Sequence, residues 1–294
     1  MIVVDSNQAE LPNFDKMWNY GDPSATRAKF LEVLPKAEKS GNTEYLAELL
    51  TQIARTYSLT GKFDEAHATL DRADKLISDT MQLARVRYLL ERGRTFNSSN
   101  QIDTARQLFF EAANLAMQYH IDLHAVDAIH MVAIAQPDPK DQIEWNLKGI
   151  AMAEPNEKLH GWLWALYNNI GESYLKLRDF SNAYQYFHKL AQYQTKRVGK
   201  ADMYTEKDEA KCLRLLGKPA DALALMQPYY SKFAEAKTPD GYISCEYAED
   251  LEALGRHGEA KPIFSEALQL LERDDWFINN DKEQLERLKH FSSH

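Results

Sequence analysis

Residues that break or staple a chain are scarce here. There are 12 glycines and 10 prolines in 294 residues, too few for the many tight turns of an all-β fold. The two cysteines, Cys212 and Cys245, form no spaced cluster. They read as two reduced thiols rather than a disulfide framework or a metal pair. No run of about 18 apolar residues exists, so no membrane span is expected. The opening MIVVDSNQAELPNFD has no basic segment and only a short apolar run, which does not fit a secretory signal. A cytoplasmic location is the expectation.

Catalytic signatures are missing too. There is no phosphate-cradling Gly-rich loop, nucleophile elbow, HExxH or dinucleotide fingerprint. Neither an enzyme nor a cofactor is expected. His120 and His124 have the helical spacing that can share a metal. No nearby Cys or Glu completes a ligand set, and His130 falls on an inward position, so no metal is expected. Cations are outnumbered, with 35 Lys and Arg against 44 Asp and Glu, a formal charge of −9. An acidic chain repels a phosphate backbone unless it carries a local basic face, so nucleic acid is not an expected partner.

What remains is rich in Ala, Leu, Glu, Lys, Gln and Arg, all good helix formers. One stretch, YNNIGESYLKLRDFSNAYQYF from Tyr167 to Phe187, carries a clear order. If Ala165 is position 2 of a unit, Tyr167, Ile170, Gly171 and Tyr174 occupy 4, 7, 8 and 11 and share one helix face. After a break at Arg178-Asp179, Phe180, Ala183 and Phe187 occupy 17, 20 and 24 of a second helix. Two helices with one apolar stripe each, joined by a short turn, make an antiparallel hairpin. Gly171 then lets the partner helix approach closely, which must outweigh a helix-propensity cost of about 1 kcal/mol relative to Ala.

The order recurs around Leu50-Tyr57-Leu70, Leu89-Gly93-Phe109, Val126-Ile129-Ile143, Leu213-Gly217-Met226 and Tyr247-Gly255-Phe264. Position 20 falls at residues 66, 105, 142, 183, 222 and 260, a spacing of 37 to 41 residues. Near-constant spacing marks stacked supersecondary units. The pattern of Leu-Gly and Tyr in the first helix, then Ala, Phe and Ala in the second, resembles the tetratricopeptide repeat (TPR). The likeness covers residues 45 to 272. The units are longer than the usual TPR and mostly lack its closing proline. They are closer to the extended TPR-like arrays of bacterial regulators and kinesin light chains.

The resemblance implies an all-α fold, a right-handed α-solenoid of about six helix-turn-helix hairpins with capping helices. The expected organisation is an N-terminal arm (1–20) and a single solenoid (21–294). Within it, 21–40 is a capping helix starting at Asp22-Pro23, 43–272 the repeats, and 279–294 a C-terminal capping helix. The segment 195–203 reads as a polar junction. Trp162 and Trp164 suit a position wedged between hairpins or a partner anchor. Trp276-Phe277 is expected to seal the last unit.

If positions 4, 7, 8 and 11 point inward, positions 2, 5, 6, 9, 12 and 13 face the opposite way. In TPR-like arrays that side is the concave groove, where peptides or partner helices bind. The candidate binding residues are therefore Arg55, Arg87, Arg94, Asn97, Asn168, Asn169, Glu172, Tyr204, Lys207, Lys211, Arg214 and Tyr242. Arg55, Arg87 and Arg94 suit bidentate carboxylate contacts, which would favour an acidic ligand; pairing with Glu48 and Glu91 is the alternative. Lys207, Lys211 and Arg214 lie beside Glu246, Glu249 and Glu252 and equally suit internal pairing. Asn169 stands where chaperone-tail-binding TPR domains carry an Asn. The rest of that clamp is replaced by Asp127, Met131, Tyr204 and Asp208, so a chaperone tail is not the expected ligand. The function expected is a non-catalytic scaffold or adaptor for a protein or extended peptide. Two alternatives stand beside it: a peptide- or small-ligand-sensing regulatory module, and a homo-oligomeric structural module. Partner and oligomeric state are not encoded in any motif.

Overall fold

The computed structural model describes residues 11–293. The first ten residues of the expected arm, and His294, lie outside the described residues. The contacts group the chain into two compact units with their boundary between Trp162 and Leu163, where the repeat spacing suggests one array.

In the first unit a short 3-10 helix, Phe14–Met17, precedes α1 (Pro23–Lys39). Three hairpins follow: α2 (Thr43–Leu59) with α3 (Phe63–Asp74), α4 (Gln82–Ser98) with α5 (Ile102–Gln118), and α6 (Asp122–Ala135) with α7 (Pro139–Ala153). A 3-10 segment, Glu157–Trp162, packs on the last pair. The leading helices α2, α4 and α6 also touch in sequence, and α1 packs against α2. In the second unit the hairpins are α8 (Leu163–Lys176) with α9 (Phe180–Val198), α10 (Met203–Leu215) with α11 (Pro219–Ala236), and α12 (Gly241–Ala253) with α13 (His257–Leu271). The short α14 (Asp275–Asn280) and then α15 (Lys282–Ser293) follow, with α15 against α13. The described residues contain no strand. The protein is all-α and built of stacked hairpins, as the spacing implies.

Local chemistry sets the helix ends. Asp22 accepts from the Ala25 amide at 2.9 Å and Pro23 opens α1; that side-chain bond satisfies an amide with no intrahelical partner. Asp179 and Asp240 cap α9 and α12 in the same way. The hairpin turns share a left-handed residue: Gly61, Gly217 and Gly255 in three of them, but Asn100 and Arg178 in two others. The third hairpin has Pro137 at the equivalent place, and proline cannot take a positive φ; its turn, QPDPKD, is built differently.

The core is a row of small-against-large contacts within each hairpin. A Cβ added to Gly93 would stand 2.5 Å from the Phe109 ring, and one on Gly171 2.7 Å from the Phe187 ring. Ala54 with Leu70, Ala210 with Met226 and Ala248 with Phe264 repeat the pairing with alanine as the small member, all fully buried. The third hairpin differs, carrying His130 and Asn146 at these two positions. The Asn146 amide donates to the Gln142 carbonyl at 2.8 Å, while its Oδ1 and His130 Nδ1 are buried without a partner among the described residues.

Two junctions refine the sequence reading. At 195–203, α9 runs on to Val198 and Gly199 ends it at φ 84°. The buried Gln194 then donates to Thr205 Oγ1 and accepts from the Asp202 amide, tying the turn into α10. Of the Trp276-Phe277 pair only Phe277 seals the last unit, at 1% exposure; Trp276 is 64% exposed, because the six-residue α14 turns one face inward.

Gly171→Leu and Gly93→Leu should each cost about 1–3 kcal/mol through overpacking, read as a lower denaturation midpoint. Gly258→Ala, where a Cβ meets open space, should leave the midpoint unchanged or slightly raised. Equal behaviour of the three would remove the close-approach role of Gly93 and Gly171.

Candidate functional site on the leading helices

In the first unit, the outward positions of α2, α4 and α6 carry Arg55, Arg87, Arg94, Glu48, Glu91 and Asp127. These side chains form one ladder. Arg55 donates to both oxygens of Glu91 at 3.0 and 3.1 Å, and Arg94 donates to the same carboxylate at 2.8 Å. Arg94 also donates to Asp127, so one guanidinium joins α4 to α6. Arg87 stands 3.0 Å from Glu48 on α2. Burial opposes charge on Arg94, but Asp127 and Glu91 more than offset it and raise its pKa. Burial likewise works against Asp127, yet Arg94 holds its carboxyl below the usual range. His124, beside them, is pushed down to about 4, first by burial and then by Arg87. It is neutral at pH 7 and adds no charge.

The remaining partner comes from before α1. Arg87 donates bidentately to Asp15, at 3.0 and 2.7 Å. The Trp18 indole N–H donates to Gln52 on α2 at 3.0 Å. Trp18 stacks on Tyr20 at 4.7 Å, and the Arg55 guanidinium lies over both rings. Phe14 is buried against Phe30 and Tyr45, and the Tyr45 hydroxyl donates to the Pro12 carbonyl at 2.7 Å. Residues 12–20 thus lie along α2 and reach α4. Between this segment and α6 remains a cavity of about 330 Å³, walled by Trp18, Tyr20, Leu123 and Trp162 with the three arginines at its floor. Arg55, Arg94 and Asn97 border a second, smaller space beside Leu59 and Met131.

The second unit has its own network. Arg214 on α10 donates to Glu246 on α12 at 2.9 Å and lies 3.6 Å from Glu249. Arg287 on α15 donates bidentately to Glu249, at 2.9 and 2.6 Å, and Gln284 adds a third bond. Burial resists ionisation of Glu249, but Arg287 and Arg214 overcome it and hold the carboxyl below the usual range. Asp250 is the odd member. Arg214 Nε is 3.3 Å from its Oδ1 but is aimed at Glu246, and neither Asp250 oxygen has a hydrogen-bond partner among the described residues. Burial raises its pKa, Glu246 adds to that, and Arg214 offsets only part.

The other expected site residues fall around these networks. Lys207 pairs with its neighbour Asp208 at 2.7 Å. Tyr204 and Tyr242 meet edge to face at 6.3 Å, and their hydroxyls donate to Asp240 and Asp274. Asn168, Asn169 and Glu172 are half-buried on α8, while Ile170 between them is fully buried. Burial and the nearby Asp208 raise the Glu172 pKa. The structure therefore brings Arg55, Arg87, Arg94 and Asn97 together in the first unit, and Lys211 with Arg214 in the second. Sequence reasoning missed Asp15, Trp18 and Tyr20. Their signal was the i, i+4 spacing of Phe14 and Trp18 around an aspartate. Trp162 lies tilted against His130 with ring centroids 5.5 Å apart, and Trp164 is exposed. Cys212 and Cys245 are buried free thiols, each pushed up to about 12, above all by burial. Among the described residues no helix is long and apolar enough to cross a membrane, and no group of metal-ligating side chains gathers.

This is a TPR-like helical repeat protein. The tetratricopeptide repeat model matches residues 47–80 and 165–196, the first and fourth hairpins. Solved structures with the same fold include the apo form of RapI, 10% identical with a TM-score of 0.69 over 94% of this chain and 80% of that one. Another is a Signal Transduction ATPase with Numerous Domains protein with a tetratricopeptide repeat sensor, from Pyrococcus horikoshii. It is 12% identical with a TM-score of 0.71, and the match covers 90% of this chain but 42% of that one. NprR in complex with its cognate peptide NprX is 12% identical, with a TM-score of 0.52 over 94% of this chain and 81% of that one. No curated protein sequence matches the chain.

Asp250 yields a pH signature. An acid whose pKa is raised on folding binds its proton more tightly folded than unfolded. Stability is then lost as pH climbs above the ordinary value of 3.8. Asp250→Asn supplies the neutral form permanently. It should melt near the parent at pH 4 and above it at pH 8, by roughly 2–4 °C for each kcal/mol recovered. A melting difference independent of pH would contradict a protonated Asp250.

Proposed function

We propose that this chain is a non-catalytic module that binds protein or peptide segments on the outward faces of its leading helices, in a cytoplasmic setting. The observation that carries the reading is the placement of residues 12–20. A segment of the protein's own backbone, with a 3-10 turn at Phe14–Met17, already lies across α2 and α4. It is held by a carboxylate on Arg87, an indole N–H on Gln52 and two rings under Arg55. An external segment with an acidic residue and a nearby aromatic would use the same contacts. The face is also pre-ordered, because the Arg55–Glu91–Arg94–Asp127 ladder fixes the side chains before anything binds, which lowers the ordering cost. NprR, of similar fold, was solved with a peptide, in keeping with such a role.

A labelled peptide copying residues 11–21 tests this by fluorescence anisotropy. The parent chain should bind it weakly, since its own segment holds the face. The full-length double variant Asp15→Ala/Trp18→Ala should bind it at least about tenfold more tightly, equivalent to about 1.4 kcal/mol. Absence of binding to either protein would reject the reading.

A further inference from the structure

The second unit contains a cavity of about 530 Å³ between the ends of α8 and α10, the turn that starts α9, and α15. Its lining holds five cations, Lys176, Arg178, Lys211, Arg214 and Arg287, against two carboxylates, Asp281 and Glu283, in a chain whose formal charge is −9. Asp281 is engaged in capping α15, where it accepts from the Gln284 amide at 3.2 Å. Arg214 and Arg287 are held by the Glu249 carboxylate they share. Lys176, Arg178 and Lys211, on the rim, make no ion pair among the described residues. Every cationic candidate in the first unit is ion-paired; these three are not.

We propose that this cavity is a binding site for an acidic peptide segment, with its carboxylates on Lys176, Arg178 and Lys211. The inference rests on the peptide-binding reading and adds a second location and a ligand chemistry to it. Three features favour a peptide over a lone phosphate. The volume exceeds that of one small anion. Leu175, Phe180 and Leu215 give the cavity an apolar wall, which an isolated anion would not use. The first unit shows the same chemistry satisfied in cis, with Asp15 on Arg87 and Phe14 and Trp18 on apolar surface. Arg178 is presented by the left-handed turn residue itself (φ 59°), with its guanidinium over the Phe180 ring at 5.9 Å. α15 is therefore more than a cap, since it supplies one side of the cavity.

The probe is a fluorescein-labelled octapeptide of alternating glutamate and leucine, titrated by anisotropy at low and physiological salt. Binding should weaken with salt. It should also weaken at least about tenfold in the full-length variant Lys176→Glu/Arg178→Glu/Lys211→Glu, with the helical circular-dichroism signal at the assay temperature retained. A variant of equal charge on α1, Lys29→Glu/Lys36→Glu/Lys39→Glu, should bind like the parent. Equal weakening in both variants, equal binding of the glutamine–leucine peptide, or binding of inorganic pyrophosphate without binding of the peptide would each overturn the proposal. If the peptide copying residues 11–21 still binds its Asp15→Ala/Trp18→Ala host while this probe does not bind the parent, the second-unit site alone fails. If neither binds, the broader reading fails with it.

Discussion

Close approach of two helices at a residue without a side chain is the constraint on which the rest of this molecule hangs. At Gly93 and Gly171 the space a Cβ would need is filled by Phe109 and Phe187. Once a phenylalanine from the second helix is seated there, the rotation of the first helix is set. Its positions 4, 7 and 11 turn inward and its polar positions turn out. Alanine does the same at 54, 210 and 248 with less depth. Every statement about the outward face follows from that rotation.

The outward face is itself organised by shared carboxylates. Glu91 serves Arg55 and Arg94, and Glu249 serves Arg214 and Arg287. Each arrangement links neighbouring helices of one unit through a charge that is nearly buried, where breaking one partner leaves a costly remnant. The two units use the device differently. In the first, every arginine of the set is ion-paired and the chain's own Asp15 joins Glu48 on Arg87. In the second, the buried Asp250 is left without a hydrogen-bond partner among the described residues, and three cations lining the cavity make no ion pair.

The hairpins were legible in the sequence because their signal is periodic. Small, large and apolar residues return every 37 to 41 positions, and Ile170 and Phe187 are buried where that spacing puts them. The cap at Asp22-Pro23 was legible for a local reason, a side-chain acceptor followed by a residue with no N–H to lose. Burial on the outward face was not. Thr51, Gln52 and Ser58 sit at outward positions yet are buried, and at Gln52 the covering group is Trp18, 34 residues earlier in the chain. A helical wheel carries no information about such a contact. The same holds for Glu246 and Glu249, buried beneath arginines from other helices. The third hairpin is the one with His130 and Asn146 in place of the usual small-and-large pair.

Residues 12–20 are covalently attached to the surface they cover, joined through the short link that leads into α1. A tether of that length keeps them at an effective concentration of the order of millimolar, whatever the amount of protein present. On the proposed reading, an outside chain seeking Arg87 and Gln52 would compete with an occupant that never diffuses away, which would set an affinity threshold against weak, abundant acidic sequences.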